Sequence, residues 1–208
     1  MTTHHEDEES PKPPDVPLRA VWYSFGFFFI IGLLFMLLIH QGDVLLYIRG
    51  WFSLGTALSE TAAGAGIGLI AAVVAYGLQR LFAIEFPDNE QTRILISLMH
   101  KRGGIATIAF GPGITEEILF RGMLLGSLLF VLPAWAALGI SSLLFFMLHI
   151  PQYKGSLWMH ASVLCMGFLL GLLFLWTENL WMPIAAHVVY NGSVALLLLK
   201  KLNTDLEV

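Results

Sequence analysis

Six stretches of this chain, residues 18–40, 55–83, 105–130, 132–150, 156–177 and 179–199, consist of almost uninterrupted apolar side chains. Each is near or above the length of about 20 residues that a helix needs to cross a bilayer. No other feature limits the fold as much. Backbone in hydrocarbon must satisfy its own N–H and C=O groups, and a helix does so within one segment. Only 12% of the residues are charged and 57% are hydrophobic, against roughly 25% charged in a soluble domain. The reading is an all-α, polytopic transmembrane bundle of about six spans. The second stretch contains TAAGAGIGLIAAVVAYG, small residues that let helices approach closely.

The flanking segments set the organisation. Residues 1–17, polar and Pro-rich, read as a disordered tail in which His4 and His5 are solvated. Leu18 to His40 lacks the positive start and the small-residue exit of a secretory signal, and reads as a retained anchor. Residues 18–104 hold two spans and, in LFAIEFPDNEQTRILISLMHKRGG, an interfacial amphipathic segment with His100 at headgroup level. Residues 105–201 form the remaining helical core. Nine basic residues (Lys12, Arg19, Arg80, Arg93, Lys101, Arg102, Lys154, Lys200 and Lys201) fall on one side of six spans and Arg49 on the other. The positive-inside rule then places both termini in the cytoplasm of a multi-pass protein of the cell membrane. No basic patch interleaved with aromatics is present, which excludes nucleic acid as a partner.

The core contains an anomaly. Between Gly103 and Leu199 the only charged residues are Glu116, Glu117, Arg121, Lys154 and Glu178, and three of them share the stretch FGPGITEEILFRG. A charge at the bilayer centre costs at least about 2.5–3.5 kcal/mol, so each needs a partner or a task. Glu117 and Arg121, four apart with the Glu first, pair on one helix face. Glu116 points about 100° away and is left over. Gly111-Pro112-Gly113 predicts a helix break just before it, with the restarted helix setting Glu116 near a positive N-terminal end.

Later spans repeat the pattern. FFMLH places Phe145 and His149 on one face, and HVVYN does the same for His187 and Asn191. At 1.5 Å per residue, Glu116 lies about 16 Å from the cytoplasmic end of its span, His149 about 6 Å, His187 about 18 Å and Asn191 about 12 Å. Those depths permit one shared cavity. A carboxylate, two imidazoles and a carboxamide suit hydrolysis of an amide. Glu116 activates water, His149 holds it, and His187 with Asn191 donates to the oxyanion. The same residues allow a second wiring, a zinc ion held by Glu116, His149 and His187 with an open position for water. Both stay open at this point, so the cofactor is either zinc or none. Ser141 and Ser142 read as packing residues, Cys165 as a small buried hydrophobe, His160 as a packing or interfacial residue, and His40 as interfacial.

In their order, EExxxR at Glu116–Arg121, FxxxH at Phe145–His149 and HxxxN at His187–Asn191 resemble the CPBP family. These are the CAAX-protease and bacteriocin-processing intramembrane endopeptidases, also called the Abi family. The resemblance covers roughly residues 105–195. It implies a catalytic core in residues 105–201, in which Glu116 is the water-activating base and His149 its partner. It also implies His187 and Asn191 at the carbonyl oxygen, Glu117 and Arg121 in support, a membrane-associated peptide or protein substrate, and a bacterial inner or plasma membrane. The family has been described both as zinc-dependent and as glutamate-type. Residues 1–104 carry no family motif. Two other classes compete: a non-enzymatic immunity or scaffolding protein whose polar residues only hold helices together, and a proton-coupled carrier. The lack of an internal repeat weakens the carrier.

Overall fold

The computed structural model describes residues 15–40 and 44–205. Residues 1–14, with His4 and His5, and the side chain of His40 lie outside the described residues, and so do the expectations attached to them. Residues 15–17 are docked rather than loose: Lys101 Nζ pairs with the Asp15 carboxylate and donates to the Val16 carbonyl at 2.6 Å.

Among the described residues every regular element is helical, as the apolar runs require. The order is α1 (Leu18–His40), α2 (Val44–Gly50), α3 (Ala57–Leu81), α4 (Glu90–Met99), α5 (Gly104–Glu117), a π-helical stretch (Ile118–Leu125), α6 (Gly126–Leu128), α7 (Ala134–His149), α8 (Leu157–Thr177) and α9 (Trp181–Asp205). Four segments are long and apolar enough to cross a membrane: Leu18–Ile39, Ala57–Leu81, Leu157–Thr177 and Trp181–Thr204. The other two apolar runs are the continuous helical path from Gly104 to Leu128 and the shorter α7.

Apolar side chains cover the outside as well as the inside, among them Leu69 and Val73 on α3 and Leu143 and Met147 on α7. Hydrophobicity therefore gives these helices little reason to prefer one another over lipid, and close backbone approach takes its place. The stripe Gly64, Gly68 and Ala72 of α3 is buried along α9. A Cβ at Gly64 would stand 2.3 Å from the Met182 carbonyl oxygen, and one at Gly68 would stand 2.2 Å from that of Ala186. Because the obstructing atoms are backbone, Gly68→Val is expected to push α3 off α9. Overpacking of this kind costs about 1–3 kcal/mol, which thermal denaturation in detergent will register as a lowered Tm. Gly66→Val is the control, since a Cβ there meets nothing within 4 Å.

α5 lies between α1 and α9, with Gly111 against the Phe25 ring and Gly113 against Val188. The expected break at Gly-Pro-Gly is overturned. α5 runs through Pro112 without interruption, and helical geometry changes only at Ile118, where the π-helical stretch begins. Unsatisfied backbone is costly in hydrocarbon, and the two glycines serve as close-approach points. Glu116 thus sits near the C-terminal end of α5 rather than at the start of a restarted helix.

The segment read as interfacial contains α4, capped by Asn89, whose side chain accepts from Thr92 N at 2.9 Å. Arg93 donates twice to Asp88, at 2.7 and 2.8 Å, and these bonds hold the Asp88 carboxyl below its ordinary range. Leu98 and Met99 are buried, and Gly103, at φ +81°, makes the left-handed turn into α5. At the other end of the bundle α2, which has no counterpart in the sequence reading, is held by Tyr47 Oη donating to the Gly122 carbonyl at 3.1 Å.

Cys165 corrects a second expectation: it is exposed on α8. In a bundle with apolar surroundings, an apolar run does not distinguish an inward face from a lipid-facing one. Ser141 and Ser142 are buried, and Ser141 Oγ donates to the Phe120 carbonyl at 2.9 Å, as packing residues do.

Candidate active site

The junction of α5 with the π-helical stretch aims two adjacent carboxylates in different directions. Glu117 is buried at 0% exposure and Arg121 at 1%, and Arg121 Nη1 donates to Glu117 Oε1 at 3.0 Å. Arg121 Nη2 donates to the Gly167 carbonyl of α8 at 3.0 Å, and the guanidinium carbon stands 4.7 Å from the centre of the Phe145 ring. A cation this far from water keeps its charge through that full set of partners.

Glu117 has a second partner. His187 Nδ1, on α9, stands 2.7 Å from Glu117 Oε1. An ionised carboxylate only accepts, so Nδ1 carries the proton, which leaves Nε2 as the remaining polar atom of that imidazole. The sequence reading assigned Glu117 and Arg121 to helix support and missed this link between them and His187. No local signal marks a contact between residues 70 positions apart.

Glu116 is wired differently. Its Oε2 stands 3.8 Å from His149 Nε2, and the two side chains are 21% and 18% exposed. Glu116 Oε2 is itself buried and accepts no hydrogen bond from the described residues. His149 Nδ1 is 2.8 Å from the Phe145 carbonyl. A carbonyl oxygen cannot donate, so Nδ1 bears a hydrogen, and Nε2 is the ring atom that faces Glu116. At 3.8 Å the two atoms are beyond direct hydrogen-bond reach, and a water molecule beside the pair can bond to both.

Phe145 joins the two halves. Its ring centre lies 4.5 Å from that of His149, 6.1 Å from that of His187 and 5.2 Å from that of Phe120. The FxxxH spacing therefore does more than share a face, since its aromatic member spaces the two imidazoles. A cavity of about 270 Å³ is lined by Glu116, Phe145, His149, His187 and Asn191 together. His160 does not line it; His160 packs edge-on against Phe146 at 5.7 Å, with its Nε2 3.3 Å from the Ile150 carbonyl.

The cavity has further walls that the sequence reading did not name. Tyr153, in the turn that follows α7, and Tyr190, inside the HVVYN stretch itself, both line it. Burial pushes the Tyr153 phenol above the ordinary tyrosine range, which keeps it a neutral donor. Ser162 also lines the cavity, but its hydroxyl donates to the Trp158 carbonyl at 3.0 Å.

The donor set does not fit the zinc alternative as these side chains stand. Among the described residues no three His, Cys, Asp or Glu side chains converge closely enough to hold a metal ion. His187 touches Glu117, not Glu116.

Comparison with known proteins agrees with the motifs. Residues 100–193 match the family described as Type II CAAX prenyl endopeptidase Rce1-like, so the CAAX protease resemblance holds over the stretch that contains EExxxR, FxxxH and HxxxN. YpbD, described as an uncharacterized protein of Bacillus subtilis (strain 168), is 36% identical over 80 residues. That stretch spans 38% of this chain and 38% of YpbD, so the likeness covers well under half of either protein. No solved structure matches the chain.

Proposed function

We propose, from the premise that residues 100–193 carry the CAAX protease family segment, that this protein is a six-span intramembrane endopeptidase with both termini in the cytoplasm. It hydrolyses a peptide bond of a membrane-associated substrate. The observation that carries the reading is the 3.8 Å separation of Glu116 Oε2 from His149 Nε2, a carboxylate and an imidazole that share one cavity with His187 and Asn191.

The substrate water donates one hydrogen to Glu116 and the other to His149, which turns its lone pair toward the scissile carbonyl carbon. As the C–O bond forms, Glu116 takes the proton. The developing oxyanion accepts from Asn191 and from His187 Nε2, the latter in the doubly protonated form whose Nδ1–H stays on Glu117. The C–N bond then breaks, and the leaving amine takes the proton from Glu116. Arg121 Nη1 and His187 Nδ1 both bond to Glu117 Oε1, so Glu117 holds the imidazole in place for the oxyanion. Phe145 keeps the imidazoles apart. No step needs a metal.

The test is cleavage of a membrane-anchored peptide library by the purified protein. Wild type is expected to produce defined fragments, and His149→Ala to produce few. Chelation that removes metal to background, checked by metal analysis of the same sample, is expected to leave the wild-type rate within about twofold, because no ligand in the set is lost. Equal cleavage by wild type and His149→Ala would overturn the assignment. Loss of activity on chelation, with recovery on zinc, would restore the metal wiring.

A further inference from the structure

Phe25 of α1, Glu116, His149 and Gln152 each line two cavities at once. One is the cavity described above, which extends toward α4, α8 and α9. The other, about 200 Å³, lies between α1, the π-helical stretch and the end of α7, with Phe28, Leu119, Phe120 and Leu148 in its walls. The two hollows therefore meet at the Glu116–His149 pair. A peptide whose scissile bond lies at that pair has neighbours on both sides of the bond, and each side has a hollow.

The chemistry of the side hollow is one-sided. Its hydroxyls are both committed to backbone, Ser24 Oγ donating to the Val21 carbonyl at 2.7 Å and Thr115 Oγ1 to the Gly111 carbonyl at 2.6 Å. Gln152 Nε2 donates to Tyr153 Oη at 3.0 Å. Beyond the Glu116–His149 pair, what faces an occupant is mainly aromatic and aliphatic carbon. Phe28 and Leu148 on its flank are 40% and 55% exposed, so the hollow opens onto the apolar surface of the spans. Phe25, between the hollows, rests on Gly111, where a Cβ would stand 2.4 Å from its ring.

We propose that the side hollow is a specificity subsite for an apolar side chain of the substrate next to the scissile bond, and that Phe25 and Phe28 set the size it accepts. The inference rests on the hydrolase reading above and deepens it. α1 lies outside residues 100–193, so the wall that selects substrate comes from a helix the family segment does not include. Proteins sharing the catalytic residues would then differ in what they cut according to their first helix.

The experiment uses the full-length protein and membrane-anchored peptides that carry Ala, Leu or Phe on either side of the cut. Its readout is the ratio of kcat/KM for the Phe peptide to that for the Ala peptide. In wild type the ratio is expected to favour Phe on one side of the bond. Phe28→Trp narrows the hollow and is expected to lower that ratio by about tenfold or more, the discrimination that a methylene or two supplies in an apolar pocket. Phe25→Ala widens it and is expected to raise the ratio. Phe27→Trp, 61% exposed and in neither wall, is expected to leave it unchanged. If Phe25→Ala does not fold, Phe28→Trp decides alone. A wild type that cuts while Phe28→Trp leaves the ratio unchanged overturns the subsite and spares the hydrolase. A wild type that cuts none of the peptides overturns both.

Discussion

Glu116→Gln is expected to lower peptide cleavage by about 10²–10⁴-fold, the range that a positioned general acid–base supplies, and to leave the fold intact. The substitution keeps shape and volume and removes only the capacity to take a proton. Glu116 is a favourable place for this separation of effects because its packing role is small: it is partly exposed, and Oε2 accepts no hydrogen bond from the described residues. A neutral amide of the same shape fits the same space, so Tm is expected to stay level. Cleavage rate and Tm measured on the same preparation check both halves. Retained cleavage by Glu116→Gln would remove the base from the scheme.

The neighbouring carboxylate is expected to behave in the opposite way. Glu117→Ala strands the Arg121 guanidinium, 1% exposed, with one carbonyl and one aromatic face as its remaining partners. Breaking a buried ion pair from one side costs about 3–5 kcal/mol. His187 also loses the acceptor of its Nδ1–H. The expected result is a large fall in Tm together with loss of activity, against a loss of activity alone for Glu116→Gln. Glu117→Gln with Arg121→Gln removes both charges and is expected to recover part of the stability without recovering activity, since His187 then has no carboxylate to hold it. Two adjacent glutamates would thus separate into one that acts on substrate and one that holds the fold. If Glu117→Ala proved as stable as wild type, the buried ion pair would lose its assigned weight.

Much of this arrangement was legible in the chain because membrane helices leave few options. The apolar runs located most ends of the long helices to within two residues, although α9 continues six residues past the run that marked it. The i,i+4 spacings placed Glu117 with Arg121 and Phe145 with His149, contacts that helical geometry guarantees once a helix exists. Legibility failed where a rule from water was applied to a lipid-facing chain. Gly111-Pro112-Gly113 reads as a break in a soluble protein, yet α5 passes through it because an interrupted backbone costs more in hydrocarbon than a missing bond at Pro112. Cys165 reads as buried because apolar residues seek the interior of soluble proteins, a preference that disappears when the surroundings are equally apolar. The short α2 and the docking of residues 15–17 on Lys101 had no periodic signal to announce them.

The residues alone determined the solvent, the helical segments, and which polar side chains share a helix face, all of which depend on local geometry and on the cost of bare polar groups in lipid. Only the tertiary structure decided that His187 pairs with Glu117 while His149 faces Glu116, and that α1 closes a second hollow beside that pair. These outcomes depend on how far each helix is rotated about its axis, and that rotation is set by contacts such as Gly68 against Ala186 and Gly111 against Phe25. Helices far apart in the chain meet at such points through shape, and shape complementarity between distant segments is not written into either segment alone.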